Sequence, residues 1–190
     1  KEKVDRRLRF VYYKEQMILG LDISTSITGV TVLDMSGTCV YNEYWDTRNK
    51  NHFPTIYHKA HHVKERLQSL PYKFEHIFVE QSLQSFRSGF SSAQTLSPLS
   101  RFNGIVSWVC WDEFELMPEM LAATSARKQV GIKVSKGEKG KQKSFDFVLA
   151  NEPTFIVEYT KNGNVKPGIM DKSDSWVIAK AGYSLCIAKN

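Results

Sequence analysis

MILGLDISTSITGVTVLD, residues 17–34, decides the reading of this chain, because it sets a carboxylate in the middle of a strand that reads as buried. Met17 to Leu21 is apolar apart from Gly20, and Ile23 resumes the pattern after Asp22. A bare carboxylate in such surroundings costs several kcal/mol unless it is paired or holds a metal. The anomaly recurs twice. Glu80 closes the apolar run HIFVE, and Asp171 and Asp174 open the last predicted helix. Four acids that local hydrophobicity argues against point to one shared site.

The elements around these acids follow from periodicity and turn residues. Residues 17–24 predict a first strand, and Thr28-Gly29 turns the chain into a second at 30–34. The MSGT turn at 35–38 leads to a third at 39–46, so an antiparallel meander is expected. Ile56, Ala60, Val63 and Leu67 at helical spacing predict a helix over 54–69, stopped by Pro71, and 76–81 reads as a fourth strand. A polar loop at 82–92 carries Phe86, Arg87 and Phe90. The long helix after it runs to residue 114, with a fresh start or a kink at Ser97-Pro98.

Beyond it, the pattern predicts a short fifth strand at 114–117, a short helix at 123–130 and a flexible Lys/Gly loop at 131–143. A helix at 144–150, a hairpin insertion within 153–169 containing the strand-like TFIVEYT, and a final helix at 172–188 complete the chain. Strands alternating with helices after a meander give an α/β, mixed-sheet fold, with one domain over 17–190. Residues 1–16, polar and basic ahead of Met17, read as an N-terminal extension or remnant outside that fold.

Composition narrows the function classes. A length of 190 residues with 42% hydrophobic residues supports one real core. No apolar run reaches ~18 residues and no secretion signal is visible, so a cytoplasmic protein without a membrane span is expected. Cys39, Cys110 and Cys186 are odd in number and scattered, with none of the close pairs of a zinc site or disulfide framework, and Cys110 and Cys186, in apolar helical runs, read as buried thiols in a reducing compartment. The net charge of +6 favours an anionic partner. It concentrates in residues 1–16, with six Lys/Arg against three acids, and in 132–143, with five Lys against Glu138. A solvated surface explains either cluster alone; beside a carboxylate site they favour nucleic acid.

Each acid also has an ordinary explanation. Asp171 suits an N-cap and Asp174 a partner for the helix dipole, while Asp22 and Glu80 could be satisfied strand-end residues. Taken together the ordinary explanation weakens, since Asp174 shares a helix face with Val177, Ile178, Ala181 and Leu185. Oxygen ligands in this number suit Mg²⁺ or Mn²⁺ rather than zinc, and two such ions ~4 Å apart would serve in-line phosphodiester hydrolysis. No phosphate-cradling glycine loop, HExxH or serine elbow is present, so no nucleotide cofactor is expected. The five histidines, including the HxxHH group at 58–62, show no ligand pattern.

The order ILGLDxSxxxTG, IFVEQ with a polar loop and a long helix, a basic segment, then DxxD at a terminal helix resembles the RuvC-type Holliday junction resolvases. The resemblance implies an RNase H-like five-stranded mixed sheet flanked by helices. It also implies a Mg²⁺-dependent endonuclease that makes paired symmetric nicks in four-way DNA junctions, leaving 5′-phosphate and 3′-hydroxyl ends. Asp22, Glu80, Asp171 and Asp174 would then be the catalytic, metal-binding acids, holding two Mg²⁺ that Mn²⁺ can replace. Arg127, Lys128, Lys133, Lys136, Lys141 and Lys143 would contact phosphates, and Phe86, Arg87 and Phe90 would meet the junction core. Paired nicks imply a C2 homodimer, for which the helix over 98–114 is a candidate face.

The family usually carries Pro-Gly after its first Asp where this chain has Ile23-Ser24, which points to a divergent branch such as one carried by a phage or virus. The rivals are a nuclease of the same fold acting on flaps, forks or RNA, and a non-catalytic junction-binding protein. Actin-like ATPases share the first-strand pattern but need a second glycine-rich loop that is missing here.

Overall fold

Alternation along the first strand sorts its side chains between two cores. The computed structural model describes residues 16–81 and 93–188. β1 (Gln16–Ile23) sends Met17, Leu19, Leu21 and Ile23 to one face of the sheet and Ile18 to the other, where Gly20 and Asp22 also point. β2 (Ile27–Asp34) divides likewise, with Val30 and Val32 on the first face and Leu33 on the second. β3 (Cys39–Asp46) and β4 (Lys73–Glu80) complete the large strands. The sheet order is β3-β2-β1-β4-β5, with β5 spanning Glu119–Leu121.

The meander is antiparallel, as expected, and β4 and β5 then join in parallel with β1 and β4 respectively. The result is a mixed five-stranded sheet flanked by five helices. α1 (Ile56–Ser69) and α2 (Ala93–Phe114) cover the first face through Ala60, Val63, Leu67, Phe102, Val106 and Cys110. Thr55 caps α1 by accepting from the His58 amide, and Leu70 and Pro71 end it. α5 (Ile169–Ala188) lies across the second face and is flanked by α3 (Ala123–Gln129) and α4 (Gly140–Asn151). Sandwiched in this way, α5 is buried on most of its circumference.

Its backbone approaches the sheet directly. A Cβ added at Gly20 would lie 2.6 Å from the Ala179 nitrogen, and one at Gly29 would collide with the Asp171 carbonyl. These two glycines therefore set how close α5 sits to the strands that carry Asp22. A buried polar tie adds to this: Thr31 Oγ1 and Ser175 Oγ are 2.8 Å apart, and Asn42 Nδ2 donates to Thr31 Oγ1 and to the Lys172 carbonyl.

Several boundaries differ from expectation. β2 begins at Ile27, so Thr28 and Gly29 pair within it and the turn falls at 24–26, β4 begins at Lys73, and Gln16 belongs to β1. The fifth strand lies at 119–121 because α2 continues to Phe114, whose ring packs on Phe74 at 5.0 Å, and Glu115 takes a left-handed φ of 59° to turn the chain. α2 runs from residue 93 through Pro98 without restarting. α4 begins at Gly140, so Lys141 and Lys143 lie on a helix and not in a loop. The expected hairpin within 153–169 reduces to one bridge between Tyr159 and Val165. TFIVEYT is held instead by Phe155, buried against Phe145 on the α5 side. α5 starts at Ile169, directly after Gly168 with φ 104°, so Asp171 sits inside its first turn. Cys110 and Cys186 are buried, and among the described residues no helix is long and apolar enough to cross a membrane.

The close approach at Gly29 predicts that Gly29→Ala lowers stability by about 1–3 kcal/mol, the usual penalty of overpacking. Urea unfolding of the two proteins checks this, and equal midpoints would mean that α5 can slide.

Candidate metal centre

Parallel pairing of β1 with β4 matches Leu21 to Val79, so the next residue of each strand, Asp22 and Glu80, emerges at the same end of the sheet. Both alternate with residues of the first core and so face α5. The first turns of α5 bring Asp171 and Asp174 over that end. Asp22 and Asp174 are only 6% and 2% exposed, and Glu80 is half-buried. Among the described residues, Asp22, Glu80 and Asp174 alone form a converging ligand set, each offering one oxygen within 4.8 Å of the others.

Like charges at this distance repel strongly: about 4 kcal/mol per pair at 4 Å for an effective dielectric near 20. Burial and the neighbouring Glu80 carboxylate push the Asp22 carboxyl well above the ordinary range, against the pull of Lys141. Burial, then Asp174, lifts Glu80 to about 7. Two cations counter the repulsion. Lys141 Nζ lies 3.0 Å from Asp171 Oδ1, 3.4 Å from Asp174 Oδ2 and 3.6 Å from Asp22 Oδ2. Burial opposes the Lys141 charge, but the three aspartates outweigh it and hold its pKa above the ordinary value. Arg127 Nη2 lies 3.4 Å from Asp174 Oδ1, and its Nε donates to Ser144 Oγ at 2.9 Å.

The donor set fits a divalent metal. All three convergent groups are carboxylates, the ligands of hard cations. The Oδ2 atoms of Asp22 and Asp174 are buried and accept no hydrogen bond, so the protein's own donors leave ligand positions open there. The backbone around them is fixed: Asn103 Nδ2 on α2 donates to the Glu80 carbonyl at 3.1 Å, and Gly29 admits the α5 terminus.

The remaining residues singled out from sequence fall into three groups. Lys128, Lys133 and Lys136 are exposed, whereas Lys143 pairs with Glu138 at 2.7 Å. Lys141 and Arg127 touch the carboxylates and not the outer surface of the basic segment. Phe86, Arg87 and Phe90 lie outside the described residues. His52, His58, His61 and His62 border an open cavity of about 410 Å³ but do not converge as ligands.

Sequence reasoning missed the placement of Lys141. It had a signal: Phe145 and Val148, which are buried, follow Lys141 at i+4 and i+7, so helical periodicity carried back one turn puts Lys141 on the inner face. Gly140 was informative too, since a Cβ there would lie 2.8 Å from Arg127 Nη1.

The fold has solved counterparts. RuvC of Thermus thermophilus in complex with a Holliday junction substrate superposes with a TM-score of 0.58 at 12% identity, over 90% of this chain and 96% of that one. A second structure of Thermus thermophilus RuvC gives 0.57 at 14% identity, over 91% and 97%. The yeast mitochondrial Holliday junction resolvase Ydc2 gives 0.57 at 13% identity, over 90% of this chain and 79% of that one. No family model and no curated protein matches at the sequence level. At such identities the likeness establishes the fold alone: a mixed five-stranded sheet flanked by helices, as in RuvC and Ydc2.

The raised carboxyl of Glu80 fixes a pH dependence. Folded and metal-free, it titrates at about 7 against an ordinary 4.5, so between those values the folded state holds the extra proton. The contribution of Glu80 to the stability of the metal-free protein therefore falls as pH rises from 4.5 through 7, the reverse of an ion-paired acid. Thermal melts in chelator over that window check the sign, and Glu80→Gln should flatten the slope.

Proposed function

We propose that this protein is a metal-dependent, structure-selective endonuclease that resolves four-way DNA junctions. The observation that carries the reading is the buried carboxylate set at the ends of β1 and β4 and the start of α5, on a resolvase-type sheet. Asp22, Glu80 and Asp174 hold the ions, Mg²⁺ with Mn²⁺ as substitute, and Asp171 completes the set from one turn earlier. When bound, a pair of such ions supplies an activated water and charge stabilisation at both the attacking and the leaving oxygen.

The protein's own groups do the rest. Burial of Asp22 and Asp174 excludes competing water from the ligand oxygens. Arg127, fixed by Ser144, orients Asp174. The exposed Lys128, Lys133 and Lys136 sit on the segment leading to α4 and bind backbone phosphates, which gives affinity and salt dependence without sequence readout. Phe86, Arg87 and Phe90, on the segment that follows Glu80, contact the junction core.

Two symmetric nicks require two sites, hence a C2 homodimer. The outer face of α2 favours this. Trp108 and Trp111 are 55% and 49% exposed there, and Gly104 between them and Arg101 leaves the helix surface open to close approach. Large exposed aromatics on one helix face are the usual anchors of a protein interface.

Asp22→Asn or Asp174→Asn should lower junction cleavage about a hundred-fold or more, the scale on which loss of one charge-stabilising group is felt. Junction binding in gel shifts should persist. A substituted protein that still cuts in Mg²⁺ would remove these acids from the chemistry. Comparing a mobile four-way junction, a flap, a duplex and an RNA–DNA hybrid tests the substrate, and preferential cutting of the hybrid would replace the junction by a hybrid as substrate. For the dimer, Trp108→Ala with Trp111→Ala should raise its Kd roughly thirty-fold, matching ~2 kcal/mol for a truncated anchor. Sedimentation velocity measures this.

A further inference from the structure

Four carboxylates meet two cations at this site, and the two cations are held in very different ways. Arg127 is locked: its side chain is 13% exposed, it donates to Ser144, and it fills the space beside Gly140. Lys141 is not. Its side chain is 54% exposed, rises from the first turn of α4, and is held at its tip by carboxylates alone among the contacts described. That tip faces the two buried oxygens, Asp22 Oδ2 and Asp174 Oδ2, that accept no hydrogen bond. Asp22 and Asp174 are also two of the three convergent metal ligands.

We infer that Lys141 is a built-in counter-ion, its ammonium neutralising the carboxylate cluster when no divalent ion is bound and swinging out to solvent when one binds. Oxygens this closely grouped give an ammonium and a dication the same place of lowest potential, and the dication repels the ammonium from it. The lysine thus stabilises the metal-free fold and raises the concentration of metal needed to load the site. A merely structural lysine would do the first and not the second. The inference rests on reading the cluster as a metal centre.

Two measurements on the full chain, without DNA, test it. In Mn²⁺ titrations followed by the electron paramagnetic resonance of the free ion, Lys141→Met should bind at least about ten-fold more tightly than wild type. The same variant should melt lower in chelator and gain more on adding metal. Lys141→Arg, which keeps the charge, should not gain affinity. In the unsubstituted protein, the lysine ammonium ¹H–¹⁵N spectrum should show a protected Lys141 signal that disappears on adding Mg²⁺. That experiment needs no variant to fold.

Equal or weaker Mn²⁺ binding by Lys141→Met, or an ammonium signal that survives saturating Mg²⁺, overturns the inference. The control is Asp174→Asn. If Mn²⁺ binding does not depend on Asp174, both the metal-centre reading and this inference fail. If it does and Lys141→Met gains nothing, only the role of the lysine fails.

Discussion

Mutual repulsion among buried carboxylates is the constraint around which this molecule is arranged. Asp22, Glu80 and Asp174 would separate if their supports could yield. The supports do not yield, because two are the ends of paired strands and the third is one turn into a helix whose backbone rests on Gly20 and Gly29. Each fully buried Leu or Ile in the strands contributes about 1.5–3 kcal/mol. Five such residues, Leu19, Leu21, Ile77, Val79 and Ile178, supply about 7–15 kcal/mol, on the same scale as three pair repulsions of about 4 kcal/mol each. The apolar core keeps in place a site that its own charges oppose.

The cations show how that opposition is moderated. Complete neutralisation by fixed ion pairs would leave no free ligand atoms, and no neutralisation would favour protonated acids. The structure lies between the two. Arg127 contacts one oxygen of Asp174, and Lys141 spans Asp22, Asp171 and Asp174 from the rim. The basic character of residues 127–143 is thus divided: part faces inward to the acids, and part, at Lys128, Lys133 and Lys136, faces solvent.

Much of this was legible in the sequence, for identifiable reasons. The strands and the site acids were visible because a carboxylate interrupts each apolar pattern, and strand alternation is a strong signal over eight residues. The meander was expected from two short glycine turns; the one at Gly37 is there, whereas Thr28 and Gly29 lie within β2 and the first turn falls at 24–26. What was not legible depended on distant partners. The position of β5 is set by the turn after α2, where Phe114 packs on Phe74 and Glu115 takes a left-handed φ, and the fate of TFIVEYT by Phe155 meeting Phe145. The β-propensity of that segment was real, but it is realised only in the bridge between Tyr159 and Val165. The start of α4 was hidden because Lys139, Gly140 and Lys141 carry loop-like composition, and no side-chain cap marks the boundary. Charge density there read as a phosphate-binding loop, whereas Arg127 and Lys141 face the acids.

The two faces of the sheet have separate duties. Asp22 and Glu80, with Gly20, Gly29 and Thr31, all point toward α5, while Leu19, Leu21, Val30, Val32, Ile77 and Val79 point toward α1 and α2. Asn103, through the Glu80 carbonyl, ties the α1–α2 layer to the carboxylate cluster. Over evolutionary time the layers are therefore free to drift at different rates. The α1–α2 side can exchange one aliphatic set for another of equal volume and alter only how long the molecule stays folded. The α5 side tolerates no such exchange at its glycines and acids. The burden of keeping α5 close to the sheet thus falls on two positions without side chains, Gly20 and Gly29.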